Sequence, residues 1–273
     1  MNKIALIGAG FMGSAVARAL RQTDPSITIG VVEKDDTRRN TAITELGARD
    51  FSADPAEVVS WADLVVLAIK PQDLESAAAA LFAGARFTDR SGSESTTPFV
   101  SILAGTSLDT LESVLRTDRL IRLMPNLAAE IGKSVTGVTV GSGITDTQRD
   151  SILRLLEGVG TLVDIPESRM AAITALSGSG IAFVFEFIDA MAMGAVLEGI
   201  PYNQALPAAL DVVESAALLL RENGVHPEEM VSRVCSPSGT TVTGIRALAR
   251  GRMRATVIDA LGAAAERSRE LEG

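Results

Sequence analysis

The sequence predicts an α/β protein: an N-terminal doubly wound, mostly parallel sheet of Rossmann type over residues 1–165, then an all-helical domain over 166–273. Three observations carry this reading. Short runs rich in Ile, Val and Leu alternate with amphipathic segments up to about residue 165, the pattern of strands joined by helices. A G-x-G-x-x-G sits between the first such run and the first helical segment. Beyond Ile165 the strand pattern stops and long Ala- and Leu-rich segments take over. At 273 residues, 47% hydrophobic and 22% charged, the chain suits about two domains with real cores.

The apolar runs fall at 4–7, 27–32, 64–69, 99–103 and 120–124. They show little polar alternation, as expected of strands covered by helices on both faces. Runs at 135–140 and 161–165 extend the same sheet. Residues 84–98 contain T-D-R-S-G-S-E-S-T-T-P, a turn-forming composition that reads as a surface loop. Helical segments follow at about 167–198, 203–222, 228–235, 240–249 and 253–271. In the first of these, Phe183, Phe185, Phe187, Ile188, Met191 and Val196 spread around the helix. An all-round apolar helix needs neighbours on several sides, so an obligate oligomer is expected. A membrane span over 171–197 is disfavoured, since Glu186 and Asp189 would each cost about 2.5–3.5 kcal/mol near its centre.

Composition narrows the function. Lys+Arg 25 against Asp+Glu 34 leaves a net charge of −9, which argues against a nucleic-acid partner because that binding rests on cations neutralising phosphates. Any phosphate is expected to be small and cradled by backbone. One His (His226) and one Cys (Cys235) exclude zinc clusters, intrachain disulfides and a Cys/His catalytic pair. No metal site is expected. Cys235 reads as a small buried hydrophobe, and His226, before Pro227, as a surface helix start. The N-terminus enters a strand directly after Met-Asn-Lys, without the features of a secretory signal, so a cytoplasmic location is expected.

The cradle is read at Gly8, Ala9, Gly10, Phe11, Met12 and Gly13. Gly8 allows the tight turn, Gly10 lets backbone approach a pyrophosphate, Gly13 lets the helix pack close to the sheet, and the helix N-terminus supplies N–H donors. About 20 residues on stands Glu33, placed to bond a ribose 2′-hydroxyl and repel a 2′-phosphate. Lys34, Arg38 and Arg39 follow at once, cations that can accommodate that phosphate. NAD and NADP both stay open.

In the second domain, Cys235 to Thr241 (C-S-P-S-G-T-T) precedes a helical pattern. Its amides and hydroxyls either hold an anion or form an ordinary N-cap. Ser177-Gly178-Ser179-Gly180 interrupts another helix. Each Gly there costs about 1 kcal/mol against Ala, which suggests close backbone approach by a helix or a ligand.

Together, Ala-Leu-Ser-Gly-Ser-Gly at 175–180 and Ser-Pro-Ser-Gly-Thr-Thr at 236–241 resemble the paired signature of the pyrroline-5-carboxylate reductase family. Ile69-Lys70-Pro71-Gln72, Ser101-Ile102-Leu103-Ala104-Gly105, Met124-Pro125-Asn126 and the closing Arg267-Ser268-Arg269-Glu270-Leu271 extend the resemblance over essentially the whole chain. Phe11, Ile181, Phe183 and Ser238 stand where the family usually has Asn, Pro, Tyr and Gly, departures that bear on substrate preference.

The resemblance implies reduction of L-1-pyrroline-5-carboxylate to L-proline, the last step of proline biosynthesis, with NADPH preferred and NADH left open by Glu33. It places Thr240 and Thr241, with the amides around Gly239, on the substrate carboxylate, and the Thr241 hydroxyl near the ring nitrogen as proton donor. Ser177 and Ser179 join them as substrate contacts. Glu167 matches an acidic position near the substrate and is the second catalytic candidate. Ser236 falls near the nicotinamide, and Ile69, Lys70, Pro71, Ala104 and Gly105 line the cofactor. A cyclic imine needs no histidine base, because holding and orienting the reactants supplies much of the acceleration. A reductase of another cyclic imine or of a 2-hydroxy or keto acid is the second reading, and a non-catalytic dinucleotide sensor the third.

Overall fold

A computed structural model describes residues 1–83 and 97–272; the loop expected at 84–98 lies almost wholly outside them. The chain divides into two compact units, one of Met1–Gly178 with Ala264–Gly273, the other of Ser179–Ala263. The first unit therefore runs past the boundary read at Ile165. It also takes back the end of the chain, which the hydropathy pattern had placed with the helical domain.

Among the described residues the first unit holds an eight-stranded sheet in the order β3-β2-β1-β4-β5-β6-β7-β8. Its strands are β1 Lys3–Ile7, β2 Thr28–Val32, β3 Arg49–Asp50, β4 Leu64–Leu67, β5 Phe99–Ser101, β6 Leu120–Met124, β7 Ser134–Val140 and β8 Gly160–Asp164. All neighbours pair in parallel except β6 and β7. Strand period 2 explains the core. Ile4 and Leu6 join Val16 and Leu20 of α1 (Phe11–Thr23) and Ile152 and Leu156 of α6 (Asp146–Leu156) on one face. Ala5 and Ile7 pack on the other, with Val58 of α3 (Pro55–Trp61), Leu74 and Ala78 of α4 (Leu74–Leu81) and Leu111 of α5 (Leu108–Leu115). Each fully buried aliphatic side chain contributes about 1.5–3 kcal/mol. Helix α2 (Asp36–Leu46) starts on an Asp35 cap that accepts from the Arg38 amide.

Parallel strands open ligand sites at their carboxyl ends where the strand order reverses. Here that point lies between β1 and β4. After β8 the chain passes through α7 (Met170–Ile173) into a π-helical stretch, Thr174–Ser179, where the Ser-Gly-Ser run falls. Such bulges are rare and frequent at functional sites.

The second unit is helical: α8 Gly180–Leu197, α9 Tyr202–Asn223, α10 Pro227–Val234, α11 Thr240–Arg250 and the start of α12 Met253–Glu272. Its buried apolar cluster is small, built on Ile188 and Ala192 of α8 against Ala205 and Ala209 of α9. Tyr202 donates to Asp189 at 3.0 Å across the same pair. The stretch Glu167–Leu197 is long and apolar enough to cross a membrane by length and composition, yet its Asp189 is held by this protein partner. Leu197 is 85% exposed and Phe185 53%.

Candidate functional site

The glycine loop is shaped by what a side chain would meet at each position. Gly8 has φ +93°, and a Cβ there would lie 2.6 Å from the Ala68 carbonyl oxygen. At Gly13 a Cβ would lie 2.3 Å from the Gly8 oxygen. At Gly10 it would meet nothing within 4 Å. Two glycines are thus required by packing, while the third keeps open a space that any Cβ would fill. Behind that space α1 begins on Gly10 with no side-chain cap and no acidic residue in its first turn, leaving N–H donors and the positive end of the helix dipole for an anion. This fits a dinucleotide pyrophosphate. Phe11, where the family usually has Asn, is exposed at the first position of the helix, and Met12 is partly buried against the core.

Glu33 closes the loop from the end of β2. The residue is 6% exposed. One carboxylate oxygen accepts from the Ala9 amide at 2.7 Å and the other from the Asp35 amide at 3.0 Å, while its own amide donates to Ser52 Oγ at 3.1 Å. The expected ribose ligand is therefore also the clamp that holds the glycine loop. The neighbouring cations are largely occupied. Lys34 Nζ lies 3.0 Å from Asp73. Arg39 pairs with Asp36 and, at 3.5 Å, with Asp50, and donates to the Glu33 carbonyl. The Ser52 side chain, then its amide and Arg39, hold the Asp50 carboxyl below the usual carboxylate range. Arg38 is exposed, with no ion pair among the described residues.

Two further expected cofactor loops reach the same carboxyl edge. Ile69 touches the glycine loop, since a Cβ on Gly8 would lie 2.9 Å from its side chain. Lys70 is exposed ahead of a short 3-10 turn, Pro71–Asp73. Ala104 and Gly105 follow β5, Gly105 with φ +65°.

Glu167, the second catalytic candidate, lies in an ion pair of the first unit. Its carboxylate binds the guanidinium of buried Arg122 and accepts from the Leu108 amide at 3.1 Å. Ser177 is buried too, and its hydroxyl donates to the Ile173 carbonyl at 2.9 Å. Its carbonyl accepts from Asn126 Nδ2 at 3.0 Å, so it fixes backbone rather than offering a free hydroxyl.

In the helical unit, α11 begins on Gly239 with no side-chain cap, and Thr240 and Thr241 are its first two residues, both exposed. A Cβ on Gly239 would lie 2.3 Å from Ser236 Oγ, and the Gly239 amide donates to the Ser236 carbonyl at 3.1 Å. This tight turn presents both hydroxyls beside free helix amides. Ser238, at the family's usual Gly, has φ +60°, a left-handed conformation costing a non-glycine residue about 1–2 kcal/mol. Ser179 closes the π-helical stretch. Cys235 is half-buried rather than buried. His226 is a helix start as expected, its Nδ1 accepting from the Glu228 amide at 3.2 Å.

Residues 167–271 match a family model described as pyrroline-5-carboxylate reductase dimerisation. Residues 3–91 match one described as NADP oxidoreductase, coenzyme F420-dependent. The chain is similar to the pyrroline-5-carboxylate reductase of Methanosarcina acetivorans, 38% identical over 99% of this chain and 98% of the relative. It is similar to that of Aquifex aeolicus, 35% identical over 98% of this chain and 97% of the relative. Among solved structures it is similar to the 1-pyrroline-5-carboxylate reductase of Streptococcus pyogenes, with TM-score 0.85, 30% identity and 98% of each chain covered.

Proposed function

From the premise that this chain belongs to the pyrroline-5-carboxylate reductase family, we propose how its residues divide the work of that reaction. The protein is an oxidoreductase that reduces L-1-pyrroline-5-carboxylate to L-proline with NAD(P)H. The observation that carries the cofactor half is the open space over Gly10 between two glycines in close contact. The nicotinamide, when bound, supplies the hydride that adds to the imine carbon.

The chain's own groups do the rest. The Gly10 amide and the amides of the first turn of α1, from Phe11 to Gly13, hold the pyrophosphate, while the Gly8 amide donates to the Val32 carbonyl and the Ala9 amide to Glu33, which fix the loop. Lys70, Pro71, Ala104 and Gly105 line the same strand edge. In the helical unit, the free amides at the start of α11 and the Thr240 hydroxyl hold the substrate carboxylate. The Thr241 hydroxyl hydrogen-bonds the ring nitrogen and conducts the proton that completes the amine. Ser236 stands near the nicotinamide and Ser179 contacts the substrate in this reading. Orientation and exclusion of water, rather than a histidine base, supply the acceleration.

NADH is the preferred donor in this reading. A buried carboxylate at the end of β2 repels a 2′-phosphate, and two of the three nearby cations already have acidic partners. The exposed apolar surface of the second unit supports a homodimer formed through it, in the cytoplasm, as part of proline biosynthesis. The test is steady-state oxidation of NADH and NADPH with pyrroline-5-carboxylate, other cyclic imines and 2-keto acids, for the native protein and Thr241→Ala. Thr241→Ala is expected to lower kcat about a hundredfold with NADH affinity retained. Turnover of a keto acid but of no imine would overturn the substrate reading, and an unchanged kcat the role of Thr241.

A further inference from the structure

Arg122 is the largest fully buried side chain among the described residues, 1% exposed in the middle of β6. A buried guanidinium must be paired, and this one is paired twice. One nitrogen meets Glu167, just beyond β8; the other meets Glu272, in the last turn of α12, at 2.6 Å. Both arms lead to one loop. The Glu167 oxygen that binds Arg122 also accepts from the amide of Leu108, the first residue of α5. Leu271, beside Glu272, stands against Gly105, where a Cβ would lie 3.1 Å from the Leu271 carbonyl oxygen and 3.2 Å from its Cβ. The segment 104–108 is therefore fixed at one end by Glu167 and closed over at the other by the end of the chain.

We propose that Glu272, Arg122 and Glu167 form a latch through which the C-terminal turn sets the conformation of the 104–108 loop, and so the affinity for NAD(P)H. Glu272 is a positioning residue that acts through Arg122 and Leu271 on a loop at the strand edge of the cofactor site. The design is asymmetric. Removing Arg122 leaves two carboxylates without their cation, a change expected to damage the fold. Neutralising Glu272 leaves the Arg122–Glu167 pair intact and loosens only the chain end. The latch is incompletely satisfied: Arg122 Nε and Glu167 Oε2 are buried without a hydrogen-bond partner.

The inference rests on the dinucleotide reading of the glycine loop, and its test separates the two. NADH affinity is measured by enhancement of nicotinamide fluorescence for the native protein, Glu272→Gln and Glu272→Asp, alongside hydrogen exchange of the Leu108 amide in cofactor-free protein and thermal unfolding. Glu272→Gln is expected to raise the NADH Kd about fivefold or more and to speed Leu108 exchange, with Glu272→Asp recovering part of both. A native protein that does not bind NADH overturns the cofactor reading itself. Native binding with an unchanged Kd in Glu272→Gln, whether or not the protein melts earlier, overturns the latch and reduces the cluster to a structural one.

Discussion

The Glu33 carboxylate accepts from the Ala9 and Asp35 amides at 2.7 and 3.0 Å, and in the function proposed above its charge also disfavours a 2′-phosphate. Glu33→Gln keeps a carbonyl oxygen for one amide and removes the charge. The ratio of kcat/KM with NADPH to that with NADH is expected to rise about tenfold, equivalent to about 1.4 kcal/mol. An unchanged ratio in steady-state assays would leave Glu33 as a loop clamp alone. The type and spacing of this residue were legible in the sequence, because an acid about 20 residues past the glycines has one well-defined task. Its second bond was not legible, since which amide a carboxylate meets depends on how β1 and β2 align in register. Ser238 is similar: its identity was plain, but only the folded turn shows that it sits at φ +60°.

At the scale of elements, the strand–loop–helix unit from β1 to α1 separates packing glycines from a binding glycine. Gly10→Val introduces a side chain with no protein atom nearby, in an extended conformation (φ −69°, ψ −176°) that Val adopts readily. Its melting temperature should match that of the native protein within about 1 °C, while NADH binding is lost. Gly13→Val forces atoms to within 2.3 Å of the Gly8 oxygen and should lower the melting temperature as well. Differential scanning calorimetry with a fluorescence titration distinguishes them; equal melting losses in both variants would contradict this division. Long strands and helices were readable from apolar periodicity. β3, two polar residues at Arg49–Asp50, carries no such signal, and the π-helical turn at Thr174–Ser179 has the composition of an interrupted α-helix.

For the molecule as a whole, the dimer proposed above turns on the second unit. Its buried cluster is small, and Phe185, Leu197, Val212, Leu219 and Ile258 are exposed, apolar side chains of the kind that association covers. Light scattering at micromolar concentration should give at least twice the chain mass, and Phe185→Glu should move it toward a single chain. A monomeric native protein would contradict the dimer. The sequence by itself determined the Rossmann sheet, the glycine cradle, the helical second half and its surplus of apolar surface, because each is written in local spacing or composition. Tertiary structure alone decided that the chain's last turn returns to the first unit and that Arg122 is buried between Glu167 and Glu272. The physical reason is that a charge reads as solvated until the fold shows it desolvated. The carboxylate that neutralises it can come from any distance along the chain, here from position 272 to position 122.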